Sequence, residues 1–279
     1  MKILTIAIVS TLISLSCSPS NFLLNRTKLV SIYFDKKIDR LTNKHDQGFK
    51  TKRELIQTKI EYAYGVLMEK GDRMIDEDYS KSMEYYNKAN QEFIEAKNAS
   101  ILLLSNRYPS FNKWMRKEHH IKFDKKDIND IYWLSAALAG SIQSSRGSNP
   151  HELINIPTIG RLLNAAINLD PNWKNGALYS AMMSYSAVRP DLNGKALIDT
   201  VDYYFEKALH LSDSLDASIY VSYAESVHIP QQQKKEFEEK LNYVIAMDIN
   251  KNRNNTINNL ISKRRAEWLL SKTNDYFLE

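Results

Sequence analysis

Residues 156–212 read IPTIGRLLNAAINLDPNWKNGALYSAMMSYSAVRPDLNGKALIDTVDYYFEKALHLS. Two segments in this stretch share one apolar grammar. Ile159, Leu163, Ala166 and Asp170 stand at steps of four, three and four, and Val201, Phe205, Ala208 and Ser212 repeat those steps. Steps of three and four keep side chains on one face of an α-helix. Between the segments, Asp170-Pro171 opens a further helix that carries small residues (Gly176, Ala177, Ala181) beside Tyr179 and Tyr185. Small residues at a crossing let two helices approach closely. The stretch therefore predicts helix, tight turn, helix, with the unit repeated.

Working outward, the same steps recur at Ser82, Tyr86, Ala89 and Phe93, and at Phe237, Leu241, Val244 and Asp248. Trp133, Ala137 and Gly140 stand at i, i+4 and i+7, close to the Trp-small-Gly spacing of a tetratricopeptide (TPR) first helix. Upstream, Leu55, Ile56, Ile60, Ala63, Tyr64 and Leu67 predict a helix over 53–70 that loosens at Gly71-Asp72. Asp78 is placed to cap a long helix ending at Tyr108-Pro109. Helix pairs are thus expected at about 53–106, 128–170, 173–212 and 217–248, followed by a helix over 256–270 with polar Lys263, Arg264 and Arg265. A terminal helix with one polar face suits the open end of a solenoid. The expected fold is all-α: a superhelical array of about four degenerate TPR-like helix pairs with a C-terminal capping helix. Two segments stay open. Residues 29–34 suit a helix or a short strand. Residues 110–126 read as a solvated connector helix with Trp114 turned inward, or as a basic aromatic patch for lipid headgroups or an acidic partner.

Composition supports the helical reading. Eight Gly and seven Pro in 279 residues are too few for the turns of an all-β chain. A net charge of +5, with no nucleic-acid-binding motif, gives no basis for a nucleic-acid partner. The single cysteine excludes an intrachain disulfide and any multi-cysteine metal site.

That cysteine has a better explanation. Residues 1–16, MKILTIAIVSTLISLS, form a short basic start and an apolar run too short to span a bilayer, as in a secretory signal. Cys17 follows at once, as in a bacterial lipoprotein signal, although Leu15 is displaced by one from its usual place. The expected organisation is a signal peptide over 1–16, a lipid-anchored tether and N-terminal segment over 17–50, and a single α-helical domain over 51–279. Diacylglycerol and an N-acyl chain such as palmitate on Cys17 would hold the body to a membrane, since each buried CH₂ contributes about 0.8 kcal/mol. No other cofactor is expected.

No catalytic residue is predicted: nucleophile-elbow, phosphate-loop and HExxH patterns are all missing from the sequence. An envelope hydrolase would need a polar cluster in one cleft. The histidines are scattered. Glu225 and His228, at i and i+3, supply two ligands at most, and Glu118-His119-His120 lie on the basic connector, so no metal site is expected. The aromatic residues Trp133, Tyr179, Tyr185 and Tyr220 are the candidates to line a groove or internal channel, with packing at repeat positions as the competing role.

The segments IYWLSAALAG, INIPTIGRLLNAAINLDPNWKNGALYSAMMSY, NGKALIDTVDYYFEKALHLSDS, FEEKLNYVIAMDIN and NNLISKRRAEWLLSKTNDYF, taken in order, resemble the T component of TRAP transporters, the tripartite ATP-independent periplasmic systems. The resemblance is clear over 131–277 and extends in organisation to the whole chain. It implies a non-enzymatic periplasmic lipoprotein that binds the substrate-binding P component, aids ligand transfer and forms a homotrimer. The alternative is a generic TPR envelope lipoprotein that scaffolds membrane-protein assembly.

Overall fold

Helices account for every regular element of the computed structural model, which describes residues 27–46, 48–252 and 255–278. Cys17 and the segment before it lie outside the described residues. Among the described residues no helix is long and apolar enough to cross a membrane.

Helix α1 spans Thr27–Thr42 and settles the open segment at 29–34 as helix. Its Val30, Phe34 and Ile38 pack on the first helix pair. Helix α2 covers 49–74 as one rod, with α-helical Phe49–Tyr62, a π-helical turn at Ala63–Met68 and α-helical Glu69–Met74. The expected loosening at Gly71 does not occur. Gly71 is instead a contact residue: a Cβ there would stand 3.0 Å from the Tyr86 ring. Helix α3, Tyr79–Arg107, starts where Asp78 accepts a hydrogen bond from the Lys81 amide at 3.0 Å, so the cap is where the sequence puts it.

The connector is not the continuous helix expected of it. Only Phe111–Met115 is α-helical, and a 3₁₀ turn at Lys125–Asp127 leads into α4, Ile128–Ser144. Phe111, Trp114 and Phe123 fold their rings together and bury them, which fixes the connector where it leaves its one helical turn. Arg161 clamps it by donating to the Trp114 and Met115 carbonyls at 2.8 and 2.6 Å. Helices α5 (Ile156–Leu169), α6 (Ala177–Ala187) and α7 (Gly194–Leu211) follow. The turn between α5 and α6 runs through left-handed Lys174, Asn175 and Gly176. Helix α8 joins Ala217–Tyr223 to a second π-helical turn, Ala224–His228. Helices α9 (Lys234–Ala246) and α10 (Thr256–Ser271) follow, and single helical turns stand at Pro150–Leu153 before α5 and at Thr273–Tyr276 after α10.

Each second helix of a pair buries most of the four-three-four stripe read from the sequence, while Asp170 and Phe205 are half-buried and Asp248 is exposed. Ser82, Tyr86, Ala89 and Phe93 on α3, Ile159, Leu163 and Ala166 on α5, Val201 and Ala208 on α7, and Phe237, Leu241 and Val244 on α9 are all buried. The first helices also pack on one another, α2 on α4, α4 on α6 and α6 on α8. The core is therefore a succession of adjoining clusters that follows the chain, not one central mass. Glycine makes two of the crossings possible. A Cβ on Gly140 would sit 2.3 Å from the Phe93 ring, and one on Gly160 would sit 2.5 Å from the Tyr185 ring.

Polar ties reinforce the first two pairs. Arg53 grips Asp130 through both carboxylate oxygens, at 2.7 and 2.6 Å, and Arg107 pairs with Asp127. Asp127 also accepts from Tyr108 and from the Asp124 amide. Burial opposes its charge, yet these three donors hold its carboxyl below the ordinary aspartate range.

The two ends of the array meet. Arg265 on α10 donates to Asp72 on α2 at 2.6 Å and to Glu225 on α8 at 2.5 Å, and lies 3.1 Å from Glu69. Lys272 pairs with Asp76 at 2.7 Å. The terminal helix thus bridges the fourth pair to the first.

Candidate binding face

Residues of the first helices and of the turn before α6 come together on one face, called the inner face below. Glu61 and Tyr64 come from α2, Tyr132 and Trp133 from α4, and Lys174 from the turn before α6. The Tyr64 hydroxyl donates to the Ala136 carbonyl at 3.2 Å. The Tyr132 hydroxyl is pushed up to about 12, first by burial and then by the fields of Asp216 and Glu61. Those two carboxylates belong to opposite ends of the array, so Tyr132 stands between them.

Lys174 is the unusual cation of this face. Its ammonium lies 4.6, 5.6 and 6.0 Å from the ring centres of Trp173, Trp133 and Tyr132. Burial lowers its proton affinity, and Glu61 only partly restores it. Three aromatic faces stabilise the charge by cation–π attraction, although the residue as a whole is exposed. The left-handed conformation of Lys174 (φ 45°) is what swings this side chain back over α4.

At the closing edge, one guanidinium serves three carboxylates. Burial works against the Arg265 charge, but Glu225, Glu69 and Asp72 raise its proton affinity well above normal. Burial likewise raises Glu225, opposed by Arg265 and reinforced by Asp72 and Glu69. Arg265 also lies 4.5 Å from the Trp268 ring centre, and Arg73 approaches that ring at 5.6 Å.

The four aromatic residues singled out from the sequence fall in separate places. Trp133 belongs to the inner aromatic group, and its indole N–H has no partner among the described residues. It also lines a cavity of about 10 Å³ with Arg53, Asn129 and Asp130, the volume of a single water. Tyr179 lies 6.3 Å from the Tyr204 ring, between α6 and α7. Tyr185 packs over Gly160 and under Arg189. Tyr220 is nearly buried, 4.9 Å from the Tyr243 ring, and lines a cleft with His228 and Lys240. Glu225 and His228 do not converge: Glu225 binds Arg265, whereas His228 Nδ1 meets Gln233 at 2.8 Å. No group of three or more His, Cys, Asp or Glu suited to a metal ion occurs among the described residues. Sequence reasoning missed Lys174 and took Arg265 for a solvated cap residue. The Trp-Lys-Asn-Gly run was the available signal for the first; for the second there was none, since its partners Glu225 and Asp72 lie 40 and 193 residues away in sequence and Glu69 is more distant still.

A family model for the TRAP transporter T-component matches residues 36–277, from α1 to the end of the closing segment. The chain belongs to that family. The T-component family is a transporter accessory family, not an enzyme family. The match includes every element that builds the inner face and both halves of the Arg265 closure. A Treponema pallidum (strain Nichols) protein described only as uncharacterized is 21% identical over 228 residues, covering 79% of this chain and 70% of its own length.

Proposed function

We propose that this T-component is a lipid-anchored periplasmic scaffold that binds the substrate-binding P component of a TRAP transporter and aids the passage of ligand to or from it. The family match over 36–277 carries the reading. An all-helical body in which Trp133, Trp173 and Tyr132 gather around the Lys174 ammonium supports it, and in this reading the helix pairs form a TPR-like superhelix with these groups on its concave side. Repeat arrays recognise partners with extended concave surfaces of this kind. In this reading Cys17 carries the diacylglycerol and N-acyl chains, the body sits on the periplasmic side, and three copies assemble so that each holds a P component. Trp133, Tyr179, Tyr185 and Tyr220 contribute to the partner-facing or ligand-facing surface.

The test is a crosslinking pull-down from intact cells with Cys17 retained. Recovery of a TRAP P component, lost on Cys17→Ser when the tether is needed for encounter, is the expected result. Failure of the purified pair to associate under any ligand condition overturns the reading. Recovery of outer-membrane assembly proteins instead replaces it with a general envelope scaffold.

A further inference from the structure

Between α8 and α9 lies an open cleft of about 330 Å³ lined by Tyr220, His228, Glu236, Glu239, Lys240 and Tyr243. Helical spacing places Glu236, Lys240 and Tyr243 on one face of α9, at steps of four and three. That spacing offers Lys240 an ion pair with Glu236, and Lys240 does not take it: the lysine forms no salt bridge or hydrogen bond among the described residues. Its ammonium is folded inward instead, 4.6 Å from the Phe205 ring centre and 4.5 Å from that of Tyr223. The Tyr223 hydroxyl is held by Asp202, which fixes this ring.

His228 shares the same ring, its imidazole 5.0 Å from the Tyr223 centre. It is 95% buried by its 5% exposure, with Nδ1 committed to Gln233 and Nε2 without a partner. A buried polar atom without a partner destabilises the fold until a hydrogen-bond partner reaches it. A cation and a buried imidazole, both without an ionic partner, thus stand against one tyrosine. On the outer side are two carboxylates, Glu236 and Glu239, both exposed. The Tyr220 and Tyr243 rings, 4.9 Å apart, form the remaining apolar wall.

The signs decide what such a cleft takes. A simple anion would meet Lys240 but also two carboxylates, and a simple cation would meet Lys240 as a repulsion. We propose that the cleft binds a small zwitterion, an α-amino acid with an apolar or aromatic side chain. Its carboxylate is taken by Lys240 and His228, its ammonium by Glu236 and Glu239, and its side chain by Tyr220 and Tyr243. The groups facing His228 are Gln233, Lys240, Glu236 and Asp202. A carboxylate arriving at this position favours the protonated imidazole, so binding draws a proton onto His228.

The experiment is calorimetric titration of the full chain with L-phenylalanine, alongside NMR of the His228 ring protons. Phenylalanine amide, N-acetyl-phenylalanine and inorganic phosphate are the comparison probes. Saturable binding of phenylalanine is expected, with a shift of the His228 resonances and a rise in its apparent pKa. Removing either charge from the ligand should weaken binding at least about tenfold, the scale of one lost charge-assisted hydrogen bond. Lys240→Met should do the same while leaving the thermal transition in place, and Glu236→Gln with Glu239→Gln should weaken phenylalanine but not N-acetyl-phenylalanine. Equal binding of phenylalanine and its N-acetyl derivative, displacement by phosphate, full affinity in Lys240→Met, or no binding at millimolar phenylalanine each overturns the proposal. None of these outcomes depends on the P-component reading.

Discussion

Replacing Arg265 by Met removes the charge that joins the two ends of the array while keeping an aliphatic stem against Trp268. In the folded protein the guanidinium makes contacts of 2.5 to 3.1 Å with Glu225, Asp72 and Glu69, and the side chain is only 17% exposed. Removing one member of a buried ion pair costs about 3–5 kcal/mol, because the other member is left without its counter-charge. Here the carboxylates are 22 to 31% exposed, so solvent screens part of the loss and the low end applies. A loss of about 3 kcal/mol corresponds to a fall in Tm of about 6–12 °C for a chain of this size. Urea unfolding and calorimetry would measure it. Hydrogen exchange should rise at α10 and at the α2 end near Asp72, and stay unchanged across α4 and α5. Glu225, whose proton affinity burial already raises, loses the cation that opposes that rise, so the difference from wild type should shrink as pH falls below 7. A loss under 1 kcal/mol, a gap independent of pH, or exchange rising evenly along the chain would refute the idea that Arg265 closes the array. Arg265→Lys should fall between the two, since an ammonium lacks the fork that serves Glu225 and Asp72 together.

The remaining predictions concern packing and titration. Gly140→Ala should destabilise by about 1–3 kcal/mol, because its Cβ would overlap Phe93, and Phe93→Leu in the same chain should recover part of that loss in a denaturant series. Asp127→Asn should cost about 2 kcal/mol at pH 7. The folded Asp127 pKa is depressed, so its contribution is complete above the ordinary aspartate value of about 3.9 and is lost as pH falls through the lower folded value; acid-unfolding curves of mutant and wild type should therefore converge. Glu225 has the opposite sign. Its folded pKa is raised, so its favourable term exists below the ordinary glutamate value and disappears as pH rises through the folded one. Glu225→Gln should gain relative to wild type from about pH 4.5 upward, measured by stability against pH.

Much of this fold was legible because it depends on neighbours in sequence. The stripe Phe237, Leu241, Val244 needs only a helical period to be recognised, and all three are buried. Asp78 caps α3 by contacting a residue three positions on. Gly140 signalled a close crossing by its size, although only the structure names Phe93 as the ring it admits. The connector was misread because charge between aromatics looks helical and solvated. What holds it is a three-ring cluster together with Arg161, 46 and 47 residues away from its acceptors. The inner face was half legible. Trp133 stands out as an aromatic residue at a repeat position, whereas Lys174 depends on a left-handed turn that no periodicity encodes. Arg265 looks like any polar cap residue until Asp72 is placed beside it.

The meeting of the two ends has a consequence for how such a chain can change length. An open solenoid gains or loses a repeat at little cost, since each unit touches only its neighbours. Here α10 reaches both α8 and α2, so a change in the number of helices between them has to keep Arg265 within reach of Glu225 and Asp72 together. Removing one pair would turn Arg265 away from Asp72 and Glu69 and leave Lys272 without Asp76. Insertions belong in loops such as 188–193, between the two helices of the third pair, where length can vary without moving α10.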